Sequence, residues 1–247
     1  PLFKSHYSTG KSILTLKRVG LSQDGGSDSI FDLANQEGLS QIVLVEDSLT
    51  GFLEAAKTSE KLGIHLIFGL RLTACDPHST QKDCHKVIVF AKDGEGCKLL
   101  NKVYSEAFKG EVSSIEMNKL SQLWNNEHLQ LAIPFYDSFI FNNTMSFSNC
   151  VPDFTFTDPI LFVEDNHLPF DSLIKERVNK FAKKKNLATQ KVKTIYYKNR
   201  GDFEAYQTYK CICNRTGWAG KAVSIQKPNL DHCGSKEFCI ESWKEQA

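Results

Sequence analysis

One stretch, Gln41 to Leu72, constrains the fold of this chain more than any other. It reads as strand, helix, strand: an apolar run at Gln41 to Val45, a polar break at Glu46-Asp47-Ser48, a helical pattern closed by Gly63, and a second apolar run from Ile64 to Leu70. Phe52, Ala55, Ala56, Ser59 and Leu62 recur at helical spacing and form one face of small and apolar side chains. Ser48 or Thr50 can cap the start of the helix, because a short side-chain oxygen accepts a backbone N–H that has no partner of its own. Gly63 can end it, because a residue without Cβ enters the left-handed turn at little cost. Two nearly continuous apolar strands joined by a helix are the unit of a parallel sheet covered on both faces. Chemistry in such sheets gathers at the C-terminal strand ends, and Asp47 and Arg71 fall near two of them.

The rest of the chain extends this pattern. Leu2-Phe3, leading into Lys4-Ser5-His6, reads as a very short first strand, followed by a Ser-, Gly- and Asp-rich loop. Asp28 or Ser29 can cap a short helix with Ile30, Leu33 and Ala34 inward. Lys86 to Ala91 is a buried strand, and Asp93 caps a helix to about Ala107 with Leu99, Leu100, Val103 and Ala107 as its apolar stripe. Leu129 to Ile133, Ser138 to Phe141, Ile160 to Val163 and Val192 to Tyr197 read as strands, and Asn142 to Asp158 as loop. Asp171 to Leu187 is an amphipathic helix whose Leu173, Ile174, Arg177, Val178, Phe181 and Ala182 share one side. Lys183 to Lys185 occupy its last turn, where cations suit the helix dipole. A final helix runs from Asp202 to about Cys213, and the tail is irregular. Strands alternating with helices favour a parallel α/β sheet or barrel.

Composition sets limits on function. The 247 residues suffice for one large α/β domain or two small ones, and a net charge of +1 gives no bulk basicity for nucleic-acid binding. No apolar run reaches the roughly 18 residues of a membrane span. Pro1 to His6 lack the apolar core of an export signal, so the start reads as what remains after removal of an initiator Met. On that expectation the eight cysteines are reduced thiols in the cytoplasm.

Two segments carry a family resemblance. The segment His85-Lys-Val-Ile-Val-Phe-Ala-Lys-Asp-Gly-Glu-Gly-Cys-Lys-Leu-Leu-Asn-Lys-Val-Tyr-Ser105 resembles the one after the second motif of the PHP (polymerase and histidinol phosphatase) domain. The version it is most similar to opens the α subunit of bacterial DNA polymerase III. Asp47, Leu49, Gly51, the helix, Gly63-Ile64 and Ile67-x-Gly69-Leu70 resemble that domain's Thr-Asp-His motif and its surroundings, and Glu241 to Glu245 resemble its end. The likeness is strong over the first hundred residues and weak beyond. It implies a single domain over residues 1–247, with a distorted seven-stranded β/α barrel over 1–200 and a last helix and irregular tail over 201–247. The family binds two or three metal ions at its strand ends to hydrolyse phosphoesters or proofread DNA, and in other members serves as a docking platform in the replicase.

The family's ligand positions translate one by one. His-x-His becomes Lys4-Ser5-His6, so a lysine holds the first seat. Thr-Asp-His becomes Glu46-Asp47-Ser48, which keeps the aspartate and loses the histidine. The glutamate after Gly-Leu becomes Arg71, and His85 matches a family histidine. The late Asn-Asp-x-His becomes Ile195-Tyr196-Tyr197-Lys198, and the family cysteine has no match near Pro134. Metal sites need neutral imidazoles, carboxylates or thiolates. Two unit charges about 4 Å apart interact by roughly 4 kcal/mol at an effective dielectric of about 20, and a divalent ion feels twice that. The resemblance therefore implies that Lys4, His6, Asp47, Arg71 and His85 are vestigial metal positions, with no catalytic residue and no cofactor expected. Lys4 and Arg71 pair with Asp47 and Glu46 in one reading and bind a phosphate in another.

The remaining signals are weaker. Ser8-Thr-Gly-Lys-Ser12 lacks the upstream glycine of a phosphate loop. Cys75, His78, Cys84 and His85 form one candidate zinc clip; Cys211, Cys213, His232, Cys233 and Cys239 form another, both without standard spacing. The Phe-rich middle reads as core, and the lysines around Lys183 to Lys185 as a solvated face or a phosphate contact. Three functions stay open. The first is a non-catalytic PHP-type module in DNA replication, free-standing (as in a virus) or part of a polymerase, whose partners are a polymerase, a proofreading exonuclease or DNA. The second is a phosphoesterase or 3′–5′ exonuclease using Mn, Fe or Zn on His6, Asp47 and His85, with His78 or Cys84. The third is a protein that keeps only the fold. No membrane partner is expected.

Overall fold

Burial and hydrogen bonding turn this pattern into a mixed α/β protein in the computed structural model, which describes residues 1–17, 27–76, 84–110, 113–213 and 234–246. The chain divides into two compact units. One comprises Pro1–Ile67, Asn166–Leu168 and Lys193–Ala247, and the other Phe68–Asp165 with Pro169–Val192.

The described elements of the first unit are β1 (Leu2–Phe3), α1 (Ile30–Gln36), β2 (Gln41–Glu46), α2 (Phe52–Leu62) and the first residues of β3 (His65–Cys75). Later parts of the chain add β9 (Thr194–Ile195), a 3-10 turn (Arg200–Asp202), α7 (Phe203–Cys213) and α8 (Ile240–Gln246). β1 lies between β2 and β9 and is parallel to both, pairing Phe3 with Leu44 on one side and Ile195 on the other. A central strand with both sides taken must be apolar, and Phe3, Leu44 and Ile195 are all fully buried. Ser29 caps α1 by accepting the Asp32 N–H. At α2 the expected Ser48 or Thr50 cap is not used: Gly51 is the N-cap residue, and Ser48 instead accepts the Thr50 N–H in the turn before it. Position 51 itself has no room for a side chain, since the Tyr7 ring would meet a Cβ there at 2.7 Å.

The second unit holds β3 from Phe68 onward, β4 (Cys84–Ala91), α3 (Gly94–Ala107), β5 (Ile115–Glu116), α4 (Met117–Gln122) and β6 (Leu129–Ile133). It is completed by α5 (Phe139–Ser146), β7 (Ile160–Val163), α6 (Asp171–Lys185) and β8 (Thr189–Lys191). β4 runs antiparallel to both β3 and β6, which corrects the all-parallel expectation, while β6, β7 and β8 are mutually parallel in sequence. The eight residues 76–83 are too few for the crossover that a parallel β3–β4 pair needs. The register sets Cys75 opposite Cys84, and the two form a disulfide, so the expectation of uniformly reduced thiols fails for this pair. Asp93 caps α3 as the sequence suggests, accepting the Gly96 N–H at 2.8 Å. Ser138 to Phe141 is not a strand. Ser138 is an N-cap that accepts the Phe141 N–H, and α5 extends into a stretch expected to be loop. Among the described residues no helix is long and apolar enough to cross a membrane.

Candidate functional site

The first unit gathers its polar side chains where β1 and β2 end. Parallel pairing carries Lys4, one residue past Phe3, to the same end as Glu46 and Asp47. Lys4 is 4% exposed, and its Nζ donates to Asp47 Oδ1 at 2.8 Å. The Asp47 side chain is itself 35% exposed, so the pair faces solvent from the carboxylate side. Glu46 is fully buried. Its Oε1 accepts the Ser5 N–H at 2.8 Å, and its Oε2 accepts the Ser8 hydroxyl. Ser8 Oγ in turn accepts the Asp47 N–H at 3.0 Å. Burial pushes the Glu46 carboxyl above its ordinary range, opposed by the Ser5 and Ser8 hydrogen bonds and by the charge of Lys4. One ammonium and two adjacent carboxyl groups thus tie the Ser5–Ser8 turn onto the end of β2.

Among the described residues His6 stands in no cluster of metal-binding side chains. Its Nδ1 lies 3.4 Å from the Leu14 carbonyl oxygen, and its ring stands 4.3 Å from that of Tyr7. The Tyr7 hydroxyl donates to Glu54 Oε2 at 2.5 Å, and that hydrogen bond, ahead of burial, raises the phenol above its usual range.

Arg71 and His85 belong to the second unit. The expected pairing of Arg71 with Glu46 is replaced: its Nη2 donates to Asp137 Oδ2 at 2.7 Å. Asp137 stands between β6 and α5 in the left-handed region, with φ at 60°, and its carbonyl accepts the Lys86 N–H. The arginine on β3 therefore pins the β6–α5 turn. His85 is buried on β4 with its ring edge-on to Phe139, 5.8 Å away.

The zinc candidates separate. Cys75 and Cys84 are spent in the disulfide, and His78 lies outside the described residues. Cys211 and Cys213 stand two apart on α7, a spacing that turns side chains to different sides of a helix. Cys239 is buried, its thiol pushed up by that burial, and accepts the Ser242 N–H, while Cys233 and His232 lie outside the described residues. Among the described residues no group of three or more His, Cys, Asp or Glu is arranged to hold a metal ion.

Sequence reasoning found Lys4, Asp47 and Glu46, though it set Glu46 against Arg71, and it missed Ser8 as the fourth member of their network. The signal for Glu46 was a charged residue continuing a buried strand. Ser8 was masked by its place in an apparent phosphate-loop fragment. Asp137 is separated from Arg71 by 66 positions and carried no pattern at all. No known family's sequence profile matches this chain, and no curated protein matches it significantly.

Proposed function

We propose that this chain is a degenerate PHP-type domain, a distorted β/α barrel whose strand-end cluster is closed by ion pairs, acting in the cytoplasm as a non-catalytic binding module of DNA replication. The observation that carries the reading is Lys4. In the resemblance this seat belongs to a metal-binding imidazole; here a buried ammonium is hydrogen-bonded to Asp47, the one retained carboxylate of the Thr-Asp-His motif. A divalent cation would have to displace a fixed positive charge from its own best ligand, and Lys4 offers no lone pair while protonated. The residues present at this cluster do not fit the family's metals. Glu46 is a poor substitute, since it is buried, its oxygens are held by Ser5 and Ser8, and burial pushes its carboxyl toward the protonated form, which binds cations weakly. What remains is a rigid surface, suited to contact with a polymerase, a proofreading exonuclease or DNA.

The test pairs elemental analysis with assays on the purified chain. Expected are no stoichiometric Mn, Fe or Zn after dialysis against each metal, no 3′–5′ exonuclease or phosphoesterase turnover, and measurable binding to a replicative polymerase or its exonuclease by biolayer interferometry. Stoichiometric metal that disappears in His6→Ala, together with turnover, would restore the enzyme reading and sink this one.

A further inference from the structure

A second surface, independent of the strand-end cluster and of the PHP reading, lies within the second unit between α5 and α6. The two helices are held together by Phe139 and Phe181, whose rings pack edge-to-face at 5.2 Å. Above that contact an open groove of about 720 Å³ runs between α6 and the segment that follows α5. Eight large apolar side chains are exposed among the described residues, and five of them line this one groove: Met145, Phe147, Val151, Phe170 and Leu173. Phe147 is the extreme case at 93% exposure, projected by a left-handed backbone at the end of α5. Single exposed apolar residues need no explanation, but a contiguous set of this kind marks an interaction site.

The same groove carries charge of one sign. Arg177, Lys180 and Lys184 line it from the α6 side, all exposed, and no acidic side chain lines it. None of the three has an ion-pair partner among the described residues. Their spacing places them on one face of α6 with Phe170, Leu173 and Phe181, over about 21 Å of helix at roughly 1.5 Å per residue.

We propose that this groove docks an acidic amphipathic helix of a partner protein. The apolar floor suits side chains at i, i+3, i+4 and i+7 of such a helix, and its flanking Glu or Asp would meet the cationic row. Single-stranded DNA fits less well. Base stacking needs ring faces, but three of the five exposed apolar side chains are aliphatic, and the cations follow one wall only. A second copy of the chain in a two-fold contact would set one basic row against another.

The test is fluorescence anisotropy on the full chain with three labelled probes. These are a stapled helix with Leu at i, i+3, i+4 and i+7 and Glu elsewhere, the same helix with every Glu changed to Lys, and a dT12 oligonucleotide. The Glu helix should bind at least about tenfold tighter than either other probe and weaken as salt rises. The double variant Arg177→Glu/Lys180→Glu should erase that preference, and Phe147→Ala should weaken the Glu helix alone by about tenfold, with the thermal melting of both variants unchanged. All three substitutions are at exposed positions, so folding is spared. Equal binding of the Glu and Lys helices, binding of neither, tighter binding of dT12, or a dimer of the chain that Phe147→Ala dissolves would each overturn the proposal.

Discussion

Two glutamates of the first unit respond to burial and charge in opposite ways. Glu237 faces Arg200, whose Nε and Nη2 donate to its two oxygens at 2.9 and 2.8 Å, and Ser242 adds a third hydrogen bond. Chiefly because of Arg200, its carboxyl is lowered from 4.5 to about 2. The folded value lies below the unfolded one, so the stabilisation is full above about pH 4.5 and is lost as pH falls toward 2. Glu46 behaves inversely. Its folded value lies above 4.5, so folding favours the protonated form and stability declines as pH rises past 4.5. Urea midpoints measured from pH 2.5 to 7 should therefore lose part of their acid-side rise in Glu237→Gln. In Glu46→Gln they should lose part of their decline above pH 4.5. Parallel curves for both variants and the parent chain would contradict the assignment. Lys4, on the same cluster as Glu46, contributes to this balance by lowering the Glu46 carboxyl, though less than burial raises it.

At the scale of elements, what was legible depended on whether the deciding partner lay nearby in sequence. The caps at Ser29 and Asp93 were readable because the helix each one starts follows within three residues. α5 was not, because Phe139-Ile140-Phe141 is as apolar as any strand, although the Ser138 hydroxyl accepts the Phe141 N–H and caps a helix there. The α6 stripe was found but its duty was merged: Ile174, Val178 and Ala182 enter the core, while Leu173, Arg177 and Phe181 line the groove. The site followed the same rule. Lys4 and Asp47 were visible as strand-end residues, whereas Arg71's partner required the tertiary fold. The β3–β4 hairpin escaped for a different reason, since helix-alternating strands suggested a crossover. Its disulfide closes a short loop, for which chain entropy gives about 2–3 kcal/mol. The register from Gly69–Phe90 to Ala74–His85 supplies six further paired positions besides the bridged one. The variant Cys75→Ser/Cys84→Ser should lose about 2–3 kcal/mol by urea denaturation yet keep its far-UV spectrum. The parent chain in reductant should lose the same amount. An unfolded double variant would mean that the bridge, and not the ladder, holds β3 to β4.

At the scale of the molecule, the first unit depends on residues that the chain brings together from its two ends. β1 has only two residues, but it lies between two strands, and these neighbours come from residues 41–46 and 194–195. The Leu2 N–H donates to the Lys193 carbonyl at 2.7 Å and the Lys4 N–H to that of Ile195, so backbone bonds reinforce the side-chain core on the β9 side. Phe3 is 0% exposed at the centre of this arrangement. Truncating it leaves a cavity that a two-residue strand between two fixed neighbours cannot collapse to fill, and Phe3→Ala should cost about 3–5 kcal/mol. The loss should be distributed by unit. In native-state hydrogen exchange, amides of β2 and β9 should lose protection together, because each is tied to β1, while those of β4 and β6 hold theirs, because their ladder from Ile88–Ala132 to Ala91–Leu129 lies within the second unit. An even loss across all four strands would show that the two units unfold as one cooperative body. Loss confined to β1 itself would show that β2 and β9 are held from elsewhere, and would remove the structural basis for treating the Lys4–Asp47 cluster as anchored by its strand.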